Sequence, residues 1–268
     1  MPKANEFPWF FAVGAELFGT FLFEFMAGAS VFSSIHTGLV TASLGIGLSL
    51  LVVSYLTVGV SGAHLNPAIT LVVYLSGKRS GSEGGIWLSW WLALWYMAAQ
   101  IVGAILGAWL LVAIMPYEAT LDSEGTSLTF LAEGELTWAH GFSVFIMEMV
   151  CTAGLTWTFF ALEIDESNKA HSFGPTVMGI AMIVGVLAAG PATGASLNPA
   201  RTIGPAVAYG SFKHMVAPLL GTFAGALLGG LGYCALFLFK HEQVPDLYRI
   251  TASPGEHEAG KFQDSRFV

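Results

Sequence analysis

The segments Ser61-Gly-Ala-His-Leu-Asn-Pro-Ala68 and Thr193-Gly-Ala-Ser-Leu-Asn-Pro-Ala-Arg201 occur once in each half of the chain and decide its fold. Asn is a favoured N-cap and Pro is favoured at the first helical position, so each Asn-Pro-Ala tripeptide marks the start of a helix. Only a short apolar stretch follows each tripeptide. The sequence therefore predicts two short apolar helices, at Ile69–Leu75 and Arg201–Ala208.

Six longer apolar segments surround these two helices. The chain has 268 residues, of which 54% are hydrophobic and only 10% charged, whereas about a quarter of the residues in a soluble domain are charged. A helix of about 20 apolar residues crosses a bilayer. The predicted spans are Trp9–Ser33, Leu39–Val60, Trp87–Met115, Trp138–Leu162, Thr176–Gly190 and Met215–Phe239. We therefore expect an all-α, multi-pass integral membrane protein, in which the two short helices are re-entrant half-helices that do not cross the bilayer.

The two halves of the chain repeat each other with a shift of 132 residues. Glu16 corresponds to Glu148, and the first Asn-Pro-Ala segment corresponds to the second. Further along, the shift falls to 118, as for Gly103 and Gly221, because the connection after the first short helix is 14 residues longer. Each half has three spans, so the halves lie in the membrane with opposite polarity, as an inverted repeat. We expect a single domain over residues 1–268, with repeat 1 at about 9–115, repeat 2 at about 138–239 and a tail at 240–268.

Charge and cysteine content argue against several classes of function. Ten Lys and Arg residues against 18 Asp and Glu residues give a net charge of −8, and a nucleic-acid partner requires a basic face. Cys151 and Cys234 lie far apart in apolar segments, so we expect reduced thiols rather than a disulfide or a metal site. Ser196 has no apparent histidine and carboxylate partners, which argues against a hydrolase. We expect no metal, no cofactor and no enzymatic activity.

The distribution of basic residues predicts the orientation in the membrane, because cytoplasmic loops are rich in Lys and Arg. The side of the two termini carries Lys3, Lys78, Arg79, Lys169, Lys240, Arg249, Lys261 and Arg266, whereas the opposite side has Lys213 and the membrane-level Arg201. The loop at 116–137 is acidic and has no basic residue, so we expect a solvated outer loop or, alternatively, a vestibule that attracts cations. Both termini are expected to be cytoplasmic. The tail does not distinguish the plasma membrane from an internal membrane.

The paired half-helices indicate a selective passage through the membrane. Two helix starts that meet would place two positive dipole ends, each of about +0.5 charge, at one level and oppose the entry of cations. If capping holds the carboxamides of Asn66 and Asn198, their N–H groups can donate to the oxygen of a passing molecule. A water molecule held in this way is poorly oriented to relay a proton. The pattern predicts passage of neutral molecules without protons.

With these segments, the chain resembles the aquaporins, the major intrinsic protein family, from about Ala15 to Leu238. The resemblance implies a passive channel for water, assembled as a homotetramer with one pore in each subunit. It also implies that Asn66, Pro67, Ala68, Asn198, Pro199 and Ala200 form the centre of the pore. In such pores, selectivity comes from the diameter, the donors that line the passage and the dipoles of the half-helices.

A second constriction is implied by the same resemblance, on the outer side of the pore. Counting from the motifs places it at Ile46, Val186, Ala195 and Arg201, with Arg201 as the cation that repels other cations and donates to passing oxygens. This wide, apolar quartet resembles that of the X intrinsic proteins, which are associated with glycerol, urea, boric acid and hydrogen peroxide. The first Asn-Pro-Ala segment is usually altered in the X intrinsic proteins, whereas it is intact here. Thr202, directly after Arg201, instead resembles the water-selective branch. We expect water together with small uncharged solutes, and favour hydrogen peroxide over glycerol.

Other polar residues inside the spans, three glutamates and one histidine, either support the structure or take part in proton chemistry. Glu16 and Glu148 each precede a motif Asn by 50 residues, and we expect them to accept hydrogen bonds from the re-entrant loops rather than carry protons. His64 is expected to support its loop by hydrogen bonding, with a pH sensor as the alternative. Glu24 has no acidic counterpart, since position 156 is Thr156, and is expected near an interface or a helix contact. A proton-coupled secondary transporter using Glu16, Glu24 or Glu148 is the alternative function.

Overall fold

The computed structural model describes residues 8–80, 85–115, 138–168, 170–212 and 214–238. The α-helices of this part of the chain are α1 (Trp9–Ser34), α2 (Leu39–Ser61), α3 (Pro67–Ser76), α4 (Trp90–Ile114), α5 (Trp138–Phe159), α6 (Gly174–Thr193), α7 (Pro199–Tyr209) and α8 (Val216–Tyr233). π-Helical turns at Phe160–Ile164 and Cys234–Leu238 extend α5 and α8, and a 3₁₀ turn at His171–Phe173 precedes α6. The fold is thus mostly helical.

The six predicted spans are confirmed, with differences at their ends. Within the described ranges, α1, α2, α4, α5, α6 and α8 with their adjoining turns are long and apolar enough to cross a membrane. The fourth helix begins at Trp90 rather than Trp87, because the Ser89 hydroxyl caps it by accepting from the backbone N–H of Leu92 at 3.3 Å. The sixth helix begins at Gly174 rather than Thr176, with a proline in its first turn.

The two short helices, α3 and α7, begin two residues earlier than predicted. Asn66 and Asn198 are their N-caps, as the sequence indicates, and the prolines that follow already have helical geometry. A proline at the first helical position loses nothing, since its missing N–H would have no partner inside the helix. Left-handed glycines, Gly77 and Gly210, end the two helices. Neither helix is long enough to cross a bilayer, so both fit re-entrant half-helices.

A small antiparallel hairpin, β1 (Arg79–Ser80) and β2 (Ile86–Trp87), lies between α3 and α4. It belongs to the longer connection of the first repeat and was not expected, because strands of two residues show no hydrophobic periodicity. Trp87, which we expected in a span, lies in β2. Ser80 is fully buried beneath the first re-entrant loop. The extra residues of this connection therefore help to support that loop.

Glycines let the helices of each repeat approach closely. α1 packs against α4, and α5 packs against α8. A Cβ at Gly103 would lie 2.3 Å from the carbonyl oxygen of Leu17, and one at Gly221 would lie 2.7 Å from that of Phe145. Any larger side chain would separate the helices, so these glycines form packing seams inside the subunit.

The two repeats meet where α2 crosses α6. A Cβ at Gly47 would lie 2.5 Å from the carbonyl oxygen of Gly179, and a Cβ at Gly179 would lie 2.7 Å from that of Gly47. These glycines correspond to each other at the shift of 132 residues, so the crossing is symmetric. Predictions for the acidic loop at 116–137, the tail at 240–268 and the terminal basic residues concern residues outside the described ranges.

Candidate functional site

The two Asn side chains close the starts of α3 and α7. The Oδ1 of Asn66 accepts from the backbone N–H of Ala68, and the Oδ1 of Asn198 accepts from that of Ala200, both at 2.9 Å. Both Asn residues have extended backbone, with φ of −156° and −158°. Because capping uses the oxygen, the two N–H groups of each carboxamide remain free to donate elsewhere.

Each carboxamide donates one hydrogen bond to the loop of the other repeat. Asn66 Nδ2 donates to the carbonyl oxygen of Leu197 at 2.8 Å, and Asn198 Nδ2 donates to that of Leu65 at 2.7 Å. The two helix starts are therefore in direct contact, as the inverted repeat predicts. We expected the N–H groups to donate to a passing molecule, whereas one donor of each Asn instead holds the opposite loop. The second N–H of each Asn has no described protein partner.

The first re-entrant loop is held by Glu16. Its Oε1 accepts from the hydroxyl of Ser61 at 2.6 Å and from the backbone N–H of His64 at 3.0 Å. Its Oε2 accepts from the backbone N–H of Leu65 at 2.6 Å and from Nε2 of Gln100 at 2.7 Å. A buried carboxylate with four donors has its hydrogen-bonding capacity largely filled. Glu16 therefore has the geometry of a loop support.

Glu148 repeats this arrangement in the second half. It accepts from the hydroxyl of Thr193 at 2.6 Å and from the backbone N–H groups of Ser196 and Leu197, both at 2.9 Å. A counterpart of Gln100 is missing, because the corresponding position holds Pro218. Glu148 thus has three donors where Glu16 has four.

These hydrogen bonds hold backbone that would otherwise be strained. Ala63, Leu65, Ala195 and Leu197 all have left-handed φ, between 49° and 53°. Left-handed geometry costs non-glycine residues about 1–2 kcal/mol each. It persists where the surroundings hold it, and here the glutamates and the opposite Asn residues bind the adjoining backbone groups. The loops therefore present fixed carbonyl and N–H groups at the site.

His64 lies within the first loop and is almost fully buried. Its Nδ1 is 3.1 Å from the hydroxyl oxygen of Thr70, and its Nε2 is 2.8 Å from that of Ser80. Tyr96 and Phe159 pack edge-on against the ring. In the second repeat, the equivalent pair is Ser196 and Thr202, which are also hydrogen-bonded. The histidine thus fills the role that a serine has in the other half.

A narrow cavity lies beside the Asn-Pro-Ala segments. Its volume of about 10 Å³ is close to the minimum that holds one water molecule. The cavity is lined by Phe23, Leu50, Ala63, His64, Leu65, Asn66, Ile69, Leu155, Met178, Met182 and Asn198. Several of these residues correspond in pairs at the shift of 132, such as Phe23 with Leu155 and Leu50 with Met182. The cavity therefore lies where the two repeats meet and is lined by equivalent residues of both, as expected for a shared passage.

The residues expected to form the outer constriction are all buried. Ile46 lies on α2, Val186 on α6, Ala195 in the second loop and Arg201 on α7, with 2%, 2%, 0% and 7% of their surfaces exposed. None of them lines the narrow cavity. Three of the four residues at the shifted positions do: Met178 corresponds to Ile46, Ala63 to Ala195 and Ile69 to Arg201. Sequence reasoning missed these residues, although applying the 132-residue shift to the filter positions would have identified them.

Arg201 is the only buried cation among the described residues. Its Cζ lies 6.0 Å from the centroid of the Phe23 ring, a distance at which a cation and an aromatic face attract each other. Within the described ranges, its Nε and Nη1 have no hydrogen-bond partner. The guanidinium therefore keeps donors that are not used by the surrounding helices.

Comparison with known proteins gives the same picture. The model of the family described as major intrinsic protein matches residues 4–233. Aquaporin TIP4-4 of Zea mays is 33% identical over 87% of this chain and 90% of its own length, and aquaporin Z of Rhodopseudomonas palustris is 32% identical over 83% and 91%. The glycerol uptake facilitator protein of Bacillus subtilis is 26% identical over 76% of this chain and 74% of its own.

The fold is also found among solved structures. The aquaglyceroporin from Plasmodium falciparum superposes with a TM-score of 0.69 over 86% of this chain and 96% of its own, at 21% identity. Residues 4–233, which the family model matches, contain both Asn-Pro-Ala segments, both loop-holding glutamates and the α-helices α1 to α8. The chain is therefore an integral membrane protein that belongs to the major intrinsic protein family.

Proposed function

We propose that this protein is a passive channel that conducts water and small uncharged solutes and excludes protons and ions. The observation that carries the proposal is the pair of reciprocal bonds from Asn66 to Leu197 and from Asn198 to Leu65. They fix two helix starts against each other beside a cavity whose volume of about 10 Å³ is close to the minimum for one water molecule. The positive ends of both helix dipoles then point at the permeating molecule. The names of the related aquaporins and of the glycerol facilitator support the same function.

The selectivity filter in this proposal consists of Ile46, Val186, Ala195 and Arg201. Two aliphatic side chains leave the opening wide and apolar, and Arg201 supplies the donors. We expect hydrogen peroxide to pass more readily than glycerol or urea, because peroxide is close to water in size. The quartet resembles the filter of X intrinsic proteins.

The alternative, a proton-coupled transporter, requires a carboxylate that gains and loses a proton during transport. Glu16 and Glu148 are unsuited to this, since their oxygens accept bonds that hold the two loops. Loss of those bonds with each cycle would release strained backbone. The contacts of the two glutamates thus favour a channel, in which they remain fixed.

The proposal extends to assembly and orientation. We propose a homotetramer with cytoplasmic termini, on the basis of the family resemblance and of the basic residues on the terminal side. The exposed apolar faces of the helices, such as Leu48, Val52 and Leu56 on α2, are available for lipid or for neighbouring subunits. Crosslinking of the purified protein and protease access from each side of sealed vesicles test these two points.

Stopped-flow light scattering on proteoliposomes tests the function. Under a sucrose gradient, a channel gives fast shrinkage with weak temperature dependence, compared with empty liposomes. Reswelling in glycerol, urea or peroxide then measures the solute range. Saturable flux that follows an imposed proton gradient would contradict the proposed channel and support the alternative of a proton-coupled transporter. Fast water flow with no solute entry would contradict the wide filter.

A further inference from the structure

Two methionines lie on one wall of the narrow cavity beside the Asn-Pro-Ala segments. Met178 and Met182 are four residues apart on α6, so they lie on the same face of that helix. Both of them line the cavity. At the shift of 132 residues they correspond to Ile46 and Leu50. The second repeat thus places two thioether groups where the first repeat has aliphatic side chains.

The same two methionines are also the most deeply buried of those that the structure describes. Met178 and Met182 have 5% and 1% of their surfaces exposed, whereas others, such as Met26 on α1 and Met97 on α4, are partly exposed. In the folded protein, a molecule dissolved in water therefore reaches Met178 and Met182 by entering the cavity, which is the path of the permeating molecules.

Hydrogen-bond donors line this cavity together with the two methionines. Asn66 and Asn198 each use one carboxamide N–H to hold the opposite loop, and the second N–H makes no hydrogen bond to a described residue. The cavity has a volume of only about 10 Å³, so a molecule that accepts from one of these N–H groups also contacts the rest of the lining. A permeating molecule thus meets a donor and a polarizable sulfur at the same point.

We propose that Met178 and Met182 are oxidised by hydrogen peroxide as it passes through the channel, and that the resulting sulfoxides close the passage. This inference rests on the proposed function, in which peroxide is a permeating solute. A lone pair of the thioether sulfur attacks one peroxide oxygen, so that an S–O bond forms and the O–O bond breaks. The proton of the transferred oxygen moves to the departing oxygen, and one water molecule leaves. The sulfur is oxidised and the peroxide is reduced.

The surroundings of the two sulfurs favour this step. An N–H of Asn66 or Asn198 that binds the departing oxygen stabilises the negative charge that develops on it. The apolar side chains of the cavity, such as Leu50 and Leu155, offer no competing hydrogen bond to the peroxide. The donors that orient a permeating molecule thereby also assist its reaction with a neighbouring thioether.

Oxidation changes both the size and the polarity of the cavity. Each sulfoxide adds an oxygen atom to the wall of a space of about 10 Å³, which is already close to the minimum for one water molecule. It also turns an apolar side chain into a polar one, whose oxygen can accept from the N–H groups that a permeating molecule would otherwise use. A channel that has conducted enough peroxide therefore conducts less water.

Exposure of proteoliposomes to peroxide tests the proposal. At increasing times, catalase removes the peroxide, tandem mass spectrometry measures the sulfoxide at each methionine, and stopped-flow light scattering measures water permeability. We expect Met178 and Met182 to be oxidised several-fold faster than Met26 and Met97, and water flow to fall as they are oxidised. Burial alone predicts the opposite order of oxidation.

Matched variants separate the two cavity methionines from the others. Met178→Leu with Met182→Leu keeps apolar side chains of similar volume but removes both sulfurs. Relative to its own rate before treatment, this double variant should retain its water flow in peroxide. Met26→Leu with Met97→Leu should lose water flow as the wild-type protein does. The order of oxidation is measured on the wild-type protein, so the test remains decisive if a variant does not fold.

A peroxide-sensitive dye inside the vesicles reports whether peroxide enters. Unmodified Met178 and Met182 after entry of peroxide would overturn the proposal, and so would equal loss of water flow in the wild-type protein and in Met178→Leu with Met182→Leu. Sulfoxides at both positions with unchanged water flow would refute the closing of the passage. No entry of peroxide through a protein that conducts water would instead refute the passage of peroxide in the proposed function.

Discussion

The carboxamide of Asn66 and the carbonyl oxygen of Leu197 are 131 residues apart in sequence and 2.8 Å apart in space. The matching bond from Asn198 to Leu65 is 2.7 Å long. Each half of the chain therefore supplies the Asn side chain that binds a backbone carbonyl in the re-entrant loop of the other half. Single changes at either Asn are therefore expected to disturb both loops.

Replacing either asparagine with aspartate tests this reciprocity. Asn66→Asp and Asn198→Asp each keep an acceptor for the helix cap but lose the donor to the opposite loop. Each should lower the stability by about 1–3 kcal/mol, since a buried carbonyl loses its partner, and should reduce water permeability. Thermal unfolding in detergent and stopped-flow scattering measure the two effects. Very unequal losses for the two variants would contradict the reciprocal arrangement.

The loop-holding glutamates provide a second test. Glu16→Gln and Glu148→Gln each replace an acceptor oxygen with an NH₂ group, which then faces a backbone or side-chain donor. Charge-assisted hydrogen bonds contribute more than neutral ones, so each change should cost about 2 kcal/mol or more. Glu163→Gln is the matched control and should unfold near the wild-type temperature. If all three variants unfolded at the same temperature, the contacts of the two glutamates would not stabilise the loops.

The size of the proposed filter can be tested from α2 and α6. Ile46→Phe with Val186→His narrows the opening and adds a donor, so solute flux should fall by about tenfold or more while water flow falls much less. Reswelling in glycerol, urea and peroxide provides the comparison. Leu48→Phe, at a half-exposed position on the same helix, is the control. Equal loss of water and solute flux would place the filter elsewhere.

Met178, the counterpart of Ile46, provides a test of the narrow cavity. Met178→Ala shortens a side chain that lines the cavity of about 10 Å³, so the cavity becomes larger. If the cavity limits the flow of solutes, their permeability should rise about twofold or more. Met97→Ala, on α4 and away from the cavity lining, is the matched control. Reswelling rates measure the change. An unchanged rate in Met178→Ala would mean that the narrowest point for solutes lies at the outer filter.

Much of this architecture follows from local sequence rules. The helix starts at Asn66 and Asn198 were predictable because capping needs only a few neighbouring residues. The support of the loops by Glu16 and Glu148 was predictable because buried carboxylates require donors and the loops supply them. The six spans were predictable from length and hydropathy, although Ser89 and Pro175 shifted two helix starts.

Other features depend on contacts between distant segments, which no local pattern reveals. The bond between Asn66 and Leu197 requires the relative position of both loops. The hairpin of β1 and β2 is too short to show a period. The position of the Arg201 guanidinium over the Phe23 ring depends on the packing of α1 against α7. In each case the residue types were visible in the sequence, but their partners were not.

The reciprocal bonds also bear on how the chain is made. The first repeat enters the membrane before Leu197 and Asn198 have been synthesised, so its re-entrant loop lacks its partner for that period. Ala63 and Leu65, which have left-handed backbone in the finished structure, then have Glu16 and its neighbours but not Asn198 to hold them. Completion of the first loop therefore waits for the second, and a ribosome stalled before residue 197 leaves an unfinished loop in the bilayer.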